Sequence, residues 1–442
     1  MRKYIEIIRS EYIHIIRSPF KIISLSLFIL ASLYSCQNGY DLFKKHNKEI
    51  KSIISQNENN IARMFAQYEE IKNGTQKEIR RSPTTPYWAL WNTPSYAFKY
   101  PSSMMLFSLG QAEQYGYYKK VTNWSTTFDS DMAEEIANPE RLAIGTLDFN
   151  FVLIYLLPIL IIIILFNVGG LEKDLKFEKL IFLNNITKHR WLFIRFLFYF
   201  FIINILLFLL MFSYALATGV FQSQAFDFFT LLYTTSLYIF LWFTIFYFIN
   251  YYGKNSSDQA LKMISIWLLL SIIIPGSIHQ VSSIKYPVNY MIQYIDVDRD
   301  KSNDIFELPI DTIRIQLLDA FPFLEKTFFA NDLDIDKGII NRSISGLVNI
   351  ENKKITSGIE NSNEEKNKFI KSLYLINPIL AFQNKINSIA RTDYYSYLNY
   401  RKNIQLIIDK KIETILKDTW NNITVDKEIY AGYVKDFNQI SR

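Results

Sequence analysis

Residues 196–226, FLFYFFIINILLFLLMFSYALATGVFQSQAF, contain no Asp, Glu, Lys or Arg, and after the single Asp227 the charge-free run resumes from Phe228 to Gly253. A helix needs roughly 20 mainly apolar residues to cross the hydrocarbon of a bilayer, and buried helices of soluble proteins are seldom so long and so free of charge. Three further stretches share the property: Ile22–Tyr40, Phe149–Leu171 and Met263–Ile284. Half of the 442 residues are apolar and 16% are aromatic, while all 48 Lys and Arg and all 42 Asp and Glu lie outside these five stretches. That distribution excludes a single soluble globule. It predicts an all-α polytopic membrane protein of about five transmembrane helices, with two mainly α-helical extracytoplasmic domains.

Cations set the expected direction of threading. Segments 1–21 and 172–195 each carry a net charge of +3, and segment 254–262 carries +1. All three fall on one side when the N-terminus is cytoplasmic, and the turn Thr218–Asp227 on the other side has no cation. The predicted order is a cytoplasmic interfacial helix over 1–21, then spans over 22–40, 148–169, 191–218, 228–252 and 261–279. A cytoplasmic loop covers 170–190, and the extracytoplasmic domains cover 41–147 and 280–442. The expected location is a bacterial cytoplasmic (inner) membrane, and the bilayer itself is the first expected partner.

Residues 1–21 place Ile5, Ile8, Tyr12 and Ile15 or Ile16 at helical spacing, with Arg2, Glu6, Arg9 and Arg17 largely opposite, the pattern of a helix lying on a membrane surface. Pro19 is expected to break it. Prolines 83, 86, 94 and 101 alternate with aromatic residues, which predicts an ordered, packed loop rather than one helix. Residues 172–190 predict one or two short helices at the membrane edge. From Leu398 to Leu416 apolar residues recur at helical spacing, predicting a long amphipathic helix.

Cys36 follows Leu33-Tyr34-Ser35 after an apolar run, an arrangement resembling a lipobox. The long amphipathic region ahead of it and the bulky Tyr34 favour an ordinary cysteine. The four histidines are scattered, so a metal site is not expected. Gly253-Lys254 lacks the upstream glycine of a P-loop, and there is no nucleophile elbow or HExxH. Polar groups within the spans are uncharged: Asn150, Asn204, Ser213, Thr234, Thr235 and Thr244. Asn204 is expected to hydrogen-bond between helices. With no intramembrane carboxylate for ion coupling, energy for transport would have to come from elsewhere.

Several stretches resemble one family. Leu109-Gly110-Gln111, Tyr117-Tyr118-Lys119-Lys120-Val121, Asn138-Pro139, Gly145-Thr146-Leu147-Asp148-Phe149 and Tyr155-Leu156-Leu157-Pro158 resemble the second-span region of ABC-2-type permeases with large extracytoplasmic domains. The likeness continues at Asn377-Pro378 and Ala390-Arg391-Thr392-Asp393. The resemblance implies a non-catalytic membrane subunit of an ABC transporter, paired with itself or a sister permease and with two soluble ATPase subunits. ATP and Mg²⁺ would then be bound by the partner, with no cofactor in this chain and no nucleic acid among its partners. It also implies that 170–190 is a coupling loop: residues around Glu11 and Arg17, and Glu172, Lys173, Asp174, Phe177 and Glu178, would meet the ATPase. Gly110, Gln111, Gly145, Asp148, Pro158 and Asp393 would be structural motif positions. The chain departs from the family where Leu175 follows Glu172-Lys173-Asp174, and in showing five spans where such permeases usually have six. Two other expectations compete: a non-transporting scaffold or sensor organising an envelope complex, and a membrane enzyme using groups such as His279 or Asp148.

Overall fold

The structure is a computed structural model and describes residues 2–75, 81–129, 131, 147–183, 187–287, 297–331 and 336–440. Helix α1 (Arg2–Arg17) ends before Pro19, and Ser18 caps the next helix by accepting from the Lys21 amide. That helix, α2 (Pro19–Lys72), is 54 residues long and crosses the expected boundary at Tyr40 without a break. At a rise of about 1.5 Å per residue it extends about 80 Å, far more than a bilayer core requires. Its apolar first part belongs to a helical bundle, and its polar remainder carries a second, polar lobe. Cys36 is buried along this uninterrupted helix.

The lobe continues with α3 (Pro86–Asn92) and a two-stranded antiparallel ribbon of β1 (Tyr96–Phe98) and β2 (Tyr118–Lys120), in which Ala97 faces Lys119. The Pro/aromatic stretch is therefore ordered, as a short helix and a strand. Helix α4 (Phe149–Leu165) is apolar apart from Asn150 near its start, but it is 17 residues long and almost wholly enclosed by its neighbours. Two short helices, α5 (Leu171–Asp174) and α6 (Glu178–Phe182), follow. Three long helices complete the bundle: α7 (Lys188–Ala217), α8 (Val220–Tyr252) and α9 (Ser256–Lys285). By length and composition α2, α7, α8 and α9 are each able to cross a membrane. The remaining predicted span, 148–169, corresponds to α4, which is apolar but shorter than these four and enclosed by them.

The chain returns to the lobe through α10 (Val297–Phe306), α11 (Ile310–Ala320), α12 (Lys337–Ser372), α13 (Pro378–Ala390), α14 (Tyr394–Trp420) and α15 (Lys427–Ile440). The two polar segments, expected as separate domains, share one apolar core. Tyr68, Tyr87 and Leu90 of the first pack with Ile340, Ile404, Ile408 and Trp420 of the second.

Helix α13 does not belong to that core. Its stripe of Ile379, Phe382, Ile386 and Ile389 is buried in the bundle, where Phe382 stacks on Tyr238 at 3.9 Å between ring centres. Tyr238 lies about 16 Å along α8 from Asp227, and Asp227 meets Arg391 just after α13. The preceding turn reaches as deep: the Asn377 side-chain amide donates to the Leu270 carbonyl, near the middle of α9. The end of α12 and α13 thus form a hairpin that enters the bundle from the lobe side and turns back.

Two proline devices hold this arrangement. Proline has no N–H to donate, so it frees a carbonyl one turn earlier in its helix. Pro158 in α4 and Pro275 in α9 each follow a π-helical turn, at Val152–Leu156 and Leu269–Ile273. The Ile154 carbonyl, four residues before Pro158, accepts from the Tyr238 hydroxyl at 3.1 Å. The Leu270 carbonyl, five before Pro275, accepts from Asn377 at 3.1 Å. Inside an apolar bundle such carbonyls need side-chain donors, because no water is at hand.

Candidate coupling site

The end of the bundle away from the lobe gathers charges from three separate segments. Arg195, in the second turn of α7, is 3% exposed, and so is Glu11 in α1. Arg195 Nε lies 2.5 Å from Glu11 Oε1, and its Nη1 lies 2.7 Å from Glu172 Oε1 of α5. The same nitrogen donates to the Val168 carbonyl at 2.6 Å, and the guanidinium lies over the Trp191 ring at 4.3 Å. Tyr199 donates to the second oxygen of Glu11 at 2.6 Å and accepts from Lys21 Nζ at 3.4 Å. Two carboxylates, one guanidinium and one ammonium balance, as a buried charge cluster must. Arginine suits the hub because its planar fork serves several acceptors at once. Burial raises the Glu172 carboxyl above its ordinary range, and the Arg195 charge opposes that rise.

The loop beyond Glu172 is tied to the next turn of the chain. Lys173 Nζ donates to the Gly253 carbonyl at 2.6 Å, and Asp174 accepts from the Ser256 amide at 3.2 Å. Gly170 lies so close to Ser256 that a Cβ there would come within 2.5 Å of its nitrogen. Lys176 adopts a left-handed φ of 60°, and the Phe177 amide then donates back to the Glu172 carbonyl. This turn presents Leu175, Phe177, Leu180 and Leu183, each more than half exposed.

The predicted contact residues therefore divide. Glu11 and Glu172 face inward onto Arg195, Lys173 and Asp174 brace the turn at Gly253–Ser256, and Arg17 and Phe177 are exposed. Glu178 is half-buried. In the sequence Arg195 is a cation at the start of a long apolar run, and its partners come from α1 and α5, far away along the chain. Along α1, Ile5, Ile8, Tyr12 and Ile16 remain exposed, while Ile7 and Ile15 pack against the bundle, so only part of its apolar surface faces away from it.

Four of the motif positions, Gly110, Gln111, Asp148 and Asp393, lie at the opposite end of the bundle, where it joins the lobe, while Pro158 sits deeper along α4. The Gln111 amide donates to the Thr392 carbonyl at 2.9 Å, and the Leu109 amide to Asp148 at 3.1 Å. Asp148 also caps α4 through the Phe151 amide at 2.7 Å, and Asp393 caps α14 through the Tyr395 amide at 3.3 Å. Gly110 has φ +47°, and a Cβ there would stand 2.7 Å from both Thr392 oxygens. Asn150 joins the cluster by donating to Asn387 at 3.0 Å. Asn204 differs from expectation: its amide bonds the Phe200 carbonyl of its own helix. Gly145 and Asn138-Pro139 lie outside the described residues. Among the described residues no group of acidic, histidine or cysteine side chains is placed to hold a metal ion. No protein-family model, curated protein or solved structure matches this chain.

Proposed function

We propose that this chain is the membrane-spanning permease subunit of an ABC-type transporter in a bacterial inner membrane. In this reading a separate ATPase hydrolyses ATP with Mg²⁺ at the cytoplasmic rim formed by α1, α5 and α6, and the polar lobe is extracytoplasmic. α4 counts as the second of five crossings, shortened because neighbouring helices surround it. The observation that carries the reading is the ion-paired base of the 171–183 turn. Leu175, Phe177, Leu180 and Leu183 are exposed, while Glu172 at their root is joined through Arg195 to a membrane helix and to α1. A partner pressing on that apolar rim would move α1 and α7 together, since the charge cluster cannot separate without leaving a buried ion unpaired. Two copies, or one copy and a sister permease, would face two ATPase subunits.

Affinity capture of the full chain in mild detergent tests this. A Walker-motif ATPase should be retained in comparable amount, and Phe177→Asp with Leu180→Asp should release it. Recovery of the intact chain without such an ATPase would remove the proposal. Retention of an envelope complex without any ATPase would favour the scaffold reading.

A further inference from the structure

A cavity of about 360 Å³ lies between the end of α12, the polar face of α13 and the start of α14. Its depth is unusual for its chemistry. The hairpin that carries it reaches Leu270 at its tip, and Lys385 sits about 9 Å along α13 below Arg391, on the bundle side of the Asp227–Arg391 contact. Two lysines line it, Lys371 and Lys385. Lys371 Nζ donates to the Tyr395 hydroxyl at 3.0 Å and lies over its ring at 4.1 Å. Among the described residues neither lysine is ion-paired with a carboxylate. Asp393 lines the cavity too, but its oxygens are turned to the Tyr395 amide and the Ser396 hydroxyl at the start of α14. The Asn367 amide nitrogen, also at the wall, is buried with no hydrogen-bond partner. Beside this donor-rich pocket the hairpin tip is apolar and bare: Leu375 is 98% exposed and Ile376 61%.

We infer that this cavity is a binding site for the phosphate of an anionic membrane phospholipid, entering from the leaflet nearest the lobe. Cations below the boundary of a bilayer require an anion or a route to water. Two ammonium groups and a spare amide N–H outnumber the single carboxylate at the wall, Asp393, whose two oxygens each already accept a hydrogen bond, and this donor excess suits a phosphate. The bare Leu375 and Ile376 supply a wall for acyl chains, which a free phosphate ion would not use. The inference depends on the bundle lying in a membrane and not on ATP coupling.

Binding of short-chain phosphatidylglycerol to the full chain in neutral detergent tests the assignment, with inorganic phosphate and short-chain phosphatidylcholine measured alongside. Saturable binding of the anionic lipid is expected, with weaker binding of the zwitterionic lipid and no competition from equimolar phosphate. Lys371→Gln with Lys385→Gln should weaken the lipid by about tenfold or more, the usual loss for charge-assisted hydrogen bonds. Asn367→Leu provides a second reading that misfolding cannot mimic. It removes an unsatisfied buried donor, so the melting temperature should hold or rise while lipid affinity falls. Unchanged affinity in these variants would overturn the site, and phosphate binding as tightly as the lipid would overturn the lipid assignment.

Discussion

Arg195 of α7 and Glu11 of the N-terminal helix form an ion pair with 2.5 Å between nitrogen and oxygen, both side chains almost fully buried. The pair joins a helix expected to float on the membrane surface to one expected to cross it. Glu172 completes the cluster from the intervening loop, so movement of any one segment loads the other two.

Removing the hub should be severe. Arg195→Met leaves Glu11 and Glu172 without their counter-ion, and breaking a buried pair from one side typically costs about 3–5 kcal/mol. A large drop in melting temperature and in monodisperse yield is expected in detergent. The quadruple variant Glu11→Gln, Lys21→Met, Glu172→Gln, Arg195→Met should recover most of the loss, because all four charges of the cluster are then gone.

Tyr238 and Pro158 should be thermodynamically coupled. Tyr238→Phe keeps the stacking on Phe382 but loses the bond to the Ile154 carbonyl, a loss of about 0.5–1.5 kcal/mol. Pro158→Ala restores an N–H that can serve the same carbonyl. A double-mutant cycle on unfolding should therefore show a smaller Tyr238→Phe penalty in the Pro158→Ala background, and equal penalties would refute the device.

Gly110→Ala and Gly74→Ala separate conformational strain from steric clash. Both glycines have positive φ, +47° and +68°, but only Gly110 faces close atoms, while nothing lies within 4 Å of the Cβ position at Gly74. Thermal unfolding should show a cost of about 1 kcal/mol at Gly74 and clearly more at Gly110, where the Thr392 oxygens must shift.

Lys411 makes the stability of the lobe depend on pH. Its ammonium is buried against Ser95 Oγ at 2.6 Å and the Val121 carbonyl at 2.9 Å, with no anion beside it in these contacts. Burial, with a smaller push from Lys120, lowers it from the ordinary 10.5 to about 7. Between pH 7 and 10.5 the unfolded chain holds a proton that the folded lobe does not. Stability should rise with pH across that window, by up to about 1.4 kcal/mol per unit, and be flat below it. Thermal unfolding of the full chain at pH 7 and 9 should show the rise, and Lys411→Met should abolish it.

Much of this architecture could be read from charge alone. The charge-free stretches mark four long helices, and the Leu398–Leu416 periodicity marks α14. Phe149–Leu171 gives a shorter, enclosed helix where the charge pattern suggested a full-length one, because an apolar run reports avoidance of water, and lipid and protein satisfy it equally. The α12–α13 hairpin escaped notice because Ile379, Phe382, Ile386 and Ile389 read as any short amphipathic helix. The separation of the lobe into two domains failed for a related reason: the residue spacing within one segment does not say which other segment covers it. At the rim, Glu11 and Glu172 were visible as charges in helical loops, but their convergence on Arg195 depends on which helices are neighbours. Pairing across that much chain leaves no trace in local spacing.

Site-specific photo-crosslinking in cells tests the proposed ATPase contact most directly, with a photoreactive amino acid placed at Phe177 or, as the opposite control, at Leu375. The account predicts an adduct between position 177 and a Walker-motif ATPase, with only lipid adducts from position 375. An ATPase adduct at 375, or none at 177 in a chain that folds and inserts normally, would contradict it.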